Sequence, residues 1–103
     1  MIARTWRGMA TATNADAYQT HFHDSVVPHL QSLQGYRGAY LLRREVADEV
    51  EFVAVTLWDT MEAIRQFTGP DPGVSVVEPT ARALLSHFDA FVSHHAVAYA
   101  DTQ

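Results

Sequence analysis

From Phe52 to Pro70 the chain reads Phe-Val-Ala-Val-Thr-Leu-Trp-Asp-Thr-Met-Glu-Ala-Ile-Arg-Gln-Phe-Thr-Gly-Pro, a strand that passes into a capped helix with almost no loop. In the strand Phe52, Ala54, Thr56 and Trp58 face one way and Val53, Val55 and Leu57 the other, so neither face is patterned for water. Asp59 or Thr60 can cap the helix, Met61, Ile64 and Phe67 form its apolar stripe, and Gly69-Pro70 stops it. A sheet containing such a strand has to be covered on both sides.

The remaining segments supply the rest of a small α+β unit. Met1 to Gly8 alternates as a strand, with Gly8 expected to end it. Thr13-Asn14-Ala15-Asp16 resembles a capping box, and after it Tyr18, Phe22, Val26, Leu30 and Leu33 recur at helical spacing. Pro28 lies inside that stripe, where a kink or a stop and restart is expected. Tyr36–Val46 and Val50–Trp58 read as a hairpin closed by Ala47-Asp48-Glu49. Val74–Leu85 reads as a short helix broken at Pro79 and restarted from Thr80, followed by a last strand from about Phe88 to Tyr99.

The order is β-α-β-β-α-β, the split arrangement of a ferredoxin-like α+β fold: a four-stranded antiparallel sheet with two helices on one face, in a single domain spanning residues 1–103. The other face would show aliphatic side chains to water, and a homodimer packed sheet against sheet is the expected remedy.

A net charge of -5 and only seven basic residues exclude nucleic acid as the main partner, because phosphate neutralisation needs clustered cations. No apolar run reaches the roughly 20 residues a bilayer requires, so no membrane span is expected. The chain has no cysteine, which excludes disulfide and thiolate chemistry. It starts Met-Ile-Ala-Arg, without the layout of a signal peptide, and a cytoplasmic location is the expectation.

Met1-Ile-Ala-Arg-Thr-Trp-Arg-Gly8, Gly35-Tyr-Arg-Gly-Ala-Tyr-Leu-Leu-Arg-Arg44, Leu57-Trp-Asp-Thr-Met-Glu-Ala-Ile-Arg-Gln-Phe67 with Gly69-Pro-Asp71, and Val92-Ser-His94 together resemble the antibiotic biosynthesis monooxygenase family. The resemblance implies a dimeric α+β barrel with a pocket between sheet and helices in each subunit. Relatives of that kind include oxygenases that turn polyphenols into quinones without a cofactor, as well as haem-degrading enzymes. This chain departs from many of them in reading Val76-Val77-Glu78-Pro79 where they carry a Tyr-Tyr-Pro run. The haem-degrading branch uses a first-strand asparagine and a helix histidine. Here the first strand carries Trp6 and Arg7, and residues 73–84 contain no histidine.

His94 matches a histidine common in the last strand of such relatives, which makes it the candidate general base for turning a phenol into an electron-rich phenolate. It shares a strand face with Val92, Ala96 and Ala98, whereas His95 shares the other with Phe91, Val97 and Tyr99. Trp6, Phe22, Trp58 and Phe67 are the candidate aromatic walls of a substrate site. Arg4, on the same face as Trp6, would be a costly buried charge unless it meets a carboxylate or an anionic ligand oxygen. The six histidines do not form a metal set: His21 and His23 lie about 200° apart on a helix, and Pro28 separates His21 from His29.

The first expectation is therefore a cofactor-independent monooxygenase acting on a small aromatic or polyphenolic compound, with no metal and no bound cofactor. The alternatives are a ligand-binding or structural dimer of the same fold, and a haem-binding relative.

Overall fold

The computed structural model describes residues 1–103. Strand β1 (Ile2–Thr11) is followed by α1 (Ala12–His21), a π-helical turn over Phe22–Val26, and α2 (Val27–Gln31). The hairpin β2 (Tyr36–Val46) and β3 (Glu49–Trp58) leads to α3 (Met61–Thr68), and α4 (Pro79–Leu84) precedes β4 (His87–Phe88) and β5 (Ser93–Ala96). The strands lie in the order β2-β3-β1-β4, all antiparallel, with β5 on β1 as well. This is the ferredoxin-like α+β sheet. No helix is long and apolar enough to cross a membrane.

Burial along β3 shows which of its two apolar faces the helices cover. Phe52, Ala54, Thr56 and Trp58 are buried, while Val53, Val55 and Leu57 on the opposite face are half-buried. Residues directly opposed across an antiparallel ladder share a face. Arg4 opposite Thr56 and Trp6 opposite Ala54 therefore point toward the helices, and Thr5 opposite Val55 points away from them. Thr60 caps α3 by accepting from the Ala63 amide at 3.1 Å, and Gly69 ends it at φ +82°, a left-handed conformation that favours glycine.

Four local expectations are corrected. Gly8 does not end the first strand, which runs on to Thr11, because Gly8 pairs with Phe52 on one side and Phe88 on the other. With no loop left after β1, the cap of α1 is Thr11 rather than Thr13, its hydroxyl accepting from the Asn14 amide at 3.3 Å. At Pro28 the helix neither stops nor restarts. The missing donor is absorbed upstream by the π turn, in which the Val27 amide bonds to the Phe22 carbonyl. Residues 74–78 are not helical: Val74 forms a bridge with Phe91, and α4 starts with Pro79, where the absent N–H costs nothing.

The expected last strand is also broken in two. Gly8 faces Phe88 and Thr5 faces Ser93, so Trp6 and Arg7 of β1 span a stretch in which the last strand spends residues 89–92. The surplus bulges toward the 71–78 loop and is held there by Ser75 donating to the Ala90 carbonyl and Val92 donating to the Gly73 carbonyl, each at 2.9 Å. That loop is thereby pinned across the sheet's inner face.

Two buried clusters fill the space between sheet and helices. Tyr18, Phe52, Val50, Ala10, Ala15 and Ala81 make one; Trp58, Leu30, Ile64 and Ala63 make the other. On the uncovered face, Glu51 is held by Arg7 at 2.6 Å and Arg44 at 2.7 Å, and hydrogen bonds from Arg44 and then Arg7 keep its carboxyl below the usual carboxylate range.

Candidate functional site

The two clusters do not close on each other, and a cavity remains between them. Its walls come from both, with Tyr18 and Ala81 on one side and Leu30 and Phe67 on the other. Arg4, Trp6, Ala54 and Thr56 form its floor on the sheet, and Val76 and Val77 close it from the 71–78 loop. About 60 Å³ is open to water-sized groups. Since one water needs roughly 10–15 Å³ measured this way, the enclosed part holds a few waters or part of one small ring, the rest of which would lie in the cavity's open mouth. It does not fit a haem, whose macrocycle is several times larger.

The polar atoms in this wall set it apart from ordinary core. Arg4 Nε, Trp6 Nε1 and His21 Nε2 are all buried, and none has a hydrogen-bond partner. Buried polar groups are nearly always paired, and three of the four unpartnered buried atoms in this chain belong to residues of this one lining, which makes it the candidate ligand site. The two tryptophans show the contrast. Trp58 Nε1 donates to Thr56 Oγ1 at 2.8 Å, while Trp6 Nε1 donates to nothing.

Arg4 lies on the floor with its guanidinium carbon 5.5 Å from the Phe67 ring centre. Burial alone brings its pKa down to about 10, so it stays a cation at neutral pH. Its one hydrogen bond runs from Nη2 to the Val74 carbonyl at 3.0 Å. Tyr18, packed 4.9 Å from Phe52 and 6.1 Å from Trp6, has its hydroxyl pushed up by burial and is un-ionised.

Of the side chains picked out in the sequence, Arg4, Trp6, Phe22 and Phe67 line this cavity. Trp58 does not; it is wholly buried beneath the site, with Phe67 stacked on it at 6.3 Å and Tyr36 edge-on at 5.4 Å. His94 also lies outside the lining. It sits across the β1–β5 ladder from Arg4, so of the paired histidines it is His94 that points toward the helices, and His95, opposite Ala3, points away. Burial first, then Arg4 and His95, hold His94 below its ordinary pKa, and its Nε2 is buried without a partner. It is a neutral imidazole flanking the cationic end of the cavity.

Two histidines in the lining, His21 and His29, stand out in the sequence only as possible metal ligands. A further signal is present in the spacing: His21 follows Tyr18 by three and His29 follows Val26 by three, so each flanks the apolar stripe. The π turn between them keeps both on the cavity side of the helix. No three His, Asp or Glu side chains converge as a metal would need.

Trp6 reaches its position because residue 8 is glycine. Its indole lies over Gly8, where an added β-carbon would stand 2.7 Å from Cζ2. Gly8→Ala is expected to push the indole into the cavity and weaken binding of a small aromatic by about tenfold or more. The loss of stability should be small, because a side-chain end is what moves. Ligand titration beside thermal melting checks this, and unchanged affinity would contradict it.

No protein-family model and no curated protein matches the chain. Solved structures do. One described as a "putative antibiotic biosynthesis monooxygenase" from Bacillus cereus aligns over 100% of this chain and 96% of its own length, with a TM-score of 0.69 and 12% sequence identity. At that identity the likeness is one of architecture, and the chain is a ferredoxin-like α+β protein sharing the fold of that structure.

Proposed function

We propose that this protein is a cofactor-independent oxygenase that oxidises a small phenolic ring to a quinone inside the cavity between sheet and helices. The observation that supports the reading most is the set of unpartnered polar atoms, Arg4 Nε, Trp6 Nε1 and His21 Nε2, on residues lining one largely apolar cavity. The shared fold with a structure named as a monooxygenase agrees with it. A phenol reacts with dioxygen only as its electron-rich phenolate, so the site has to take a proton and hold a developing negative charge. The proton acceptor in this reading is His21, a histidine of the lining whose Nε2 has no partner in the protein. The Trp6 N–H is the donor for the phenolate oxygen, and Arg4 supplies positive charge to the site as a whole. His94, outside the lining, acts through Arg4: as a neutral neighbour it leaves the guanidinium's charge directed at the cavity. One oxygen atom enters the ring as the new carbonyl, and the other leaves as water with the two hydrogens the ring gives up. The ring supplies the electrons, so no external reductant enters the balance.

The second part of the proposal is a homodimer through the uncovered sheet face. Tyr40 and Leu42 on β2 are 58% and 52% exposed there, beside Val53 and Val55, an apolar surface of the kind that a second sheet covers.

Oxygen uptake and quinone absorbance with a panel of single-ring phenols, in the absence of flavin and metal, test the activity. His21→Ala is expected to lower the rate about a hundredfold, in the range for loss of a general base, and His94→Ala to lower it less. Ring binding without oxygen uptake would leave a sequestering pocket in place of an enzyme.

A further inference from the structure

The arginines of this chain divide sharply by their partners. Arg7, Arg37, Arg43, Arg44 and Arg65 each lie within 3.0 Å of a carboxylate. Arg82 has no acidic partner but is exposed, and donates to the Val77 carbonyl. Arg4 alone combines burial, at 5% exposure, with the absence of any carboxylate. Glu78, the acidic residue in the cavity lining, forms no ion pair with it and is itself exposed. A guanidinium has five N–H donors, and the protein uses one of Arg4's, through Nη2 to Val74. A buried cation left in that state is destabilising unless something else completes it.

The chemistry of the missing partner follows from the fork and the space. A guanidinium is planar, and its matched acceptor is a planar two-oxygen anion. Of the groups a single ring commonly carries, a phenol remains largely protonated at neutral pH, whereas a carboxyl is fully ionised. Beside the guanidinium, the Phe67 ring and the Phe22 wall offer an apolar surface for a ring. Trp6 and His21 belong to the same lining, and their ring nitrogens, without partners in the protein, are the candidate partners of a hydroxyl.

We infer that the cavity takes a monocyclic hydroxylated aromatic acid, its carboxylate on Arg4 and its hydroxyl toward Trp6 and His21. This deepens the oxygenase reading by naming the substrate class, and rests on the same site. The charge on the ligand, rather than the ring alone, then sets affinity.

The test compares para-hydroxybenzoate with its neutral isostere para-hydroxybenzamide, titrated calorimetrically into the full chain near neutral pH. The acid is expected to bind about tenfold tighter or better. Arg4→Gln should erase that preference by lowering affinity for the acid more than for the amide, and Arg4→Lys, which keeps the charge but loses the fork, should restore part of it. Equal binding of the two compounds by the natural protein, tighter binding of the amide, or binding of neither would overturn the inference, and these outcomes need no variant to fold. Oxygen uptake recorded on the same compounds and on neutral phenols separates the two proposals. Charge-selective binding without uptake sustains the inference and sinks the oxygenase, and uptake from neutral phenols with no acid preference does the reverse.

Discussion

Trp58→Ala is expected to lower the stability of the folded chain by about 3–5 kcal/mol, the range for removing a large aromatic from a packed core. Trp58 has no exposed surface and closes the last pair of both ladders in which β3 takes part, opposite Ile2 and Tyr36. It touches Tyr36 and Phe67 and joins Leu30, Ala63 and Ile64 in one cluster. Truncation leaves a void between sheet and α3, and Thr56 Oγ1 loses the indole donor that held it at 2.8 Å. Domains of this size are stable by about 5–15 kcal/mol, so the loss consumes a large share. Urea unfolding of the variant against the natural protein measures it. Trp6→Ala is the control: its indole is only half-buried and its N–H unpartnered, so it should unfold much closer to the natural protein while losing ligand affinity. Should Trp58→Ala cost under about 1 kcal/mol, the packing role assigned to it is mistaken.

Val55→Glu is expected to convert a dimer to monomers, with association weakened about a hundredfold or more. Val55 stands mid-strand on the uncovered face, opposite Thr5 of β1 on one side and Tyr40 of β2 on the other. In an isolated subunit a glutamate there would meet water and change stability little. In a two-fold interface the substitution appears twice and brings two like charges into an apolar contact, where neither has a partner. Sedimentation or light scattering at micromolar concentration distinguishes the cases. If the natural protein runs as a monomer, or the variant stays dimeric, the sheet-to-sheet interface is refuted.

The elements legible in the sequence are those whose information is local. Thr60, Met61, Ile64, Phe67 and Gly69 carry a cap, a stripe and a stop within one short helix, and β3 shows its two faces by simple alternation. Pro28 announces a disturbance but not a π turn, because a helix can absorb a missing donor by widening only if tertiary packing holds the widened turn. Gly8 misleads for the same kind of reason. A glycine looks like a strand end until Phe52 and Phe88 are known to flank it and the Trp6 indole to cover it. In the site, aromatic residues on the right strand face are visible as candidates. Whether an indole is core or cavity wall is not, since that depends on whether its N–H finds a partner elsewhere in the chain.

Strand and helix order, the two faces of β3 and the sharing of one β1 face by Arg4 and Trp6 are set by the residues alone, because alternation, capping and stop signals act over a few positions. The tertiary contacts alone establish which face of β3 the helices cover, and that Arg4 lacks an acid while five other arginines have one; the same contacts fix the site. They place His21 rather than His94 in the cavity lining and leave the Trp6 and His21 ring nitrogens without partners in the protein. Those facts depend on the register of β1 against β5, on the pinned 71–78 loop and on the π turn, each of them set by contacts between residues far apart in the chain.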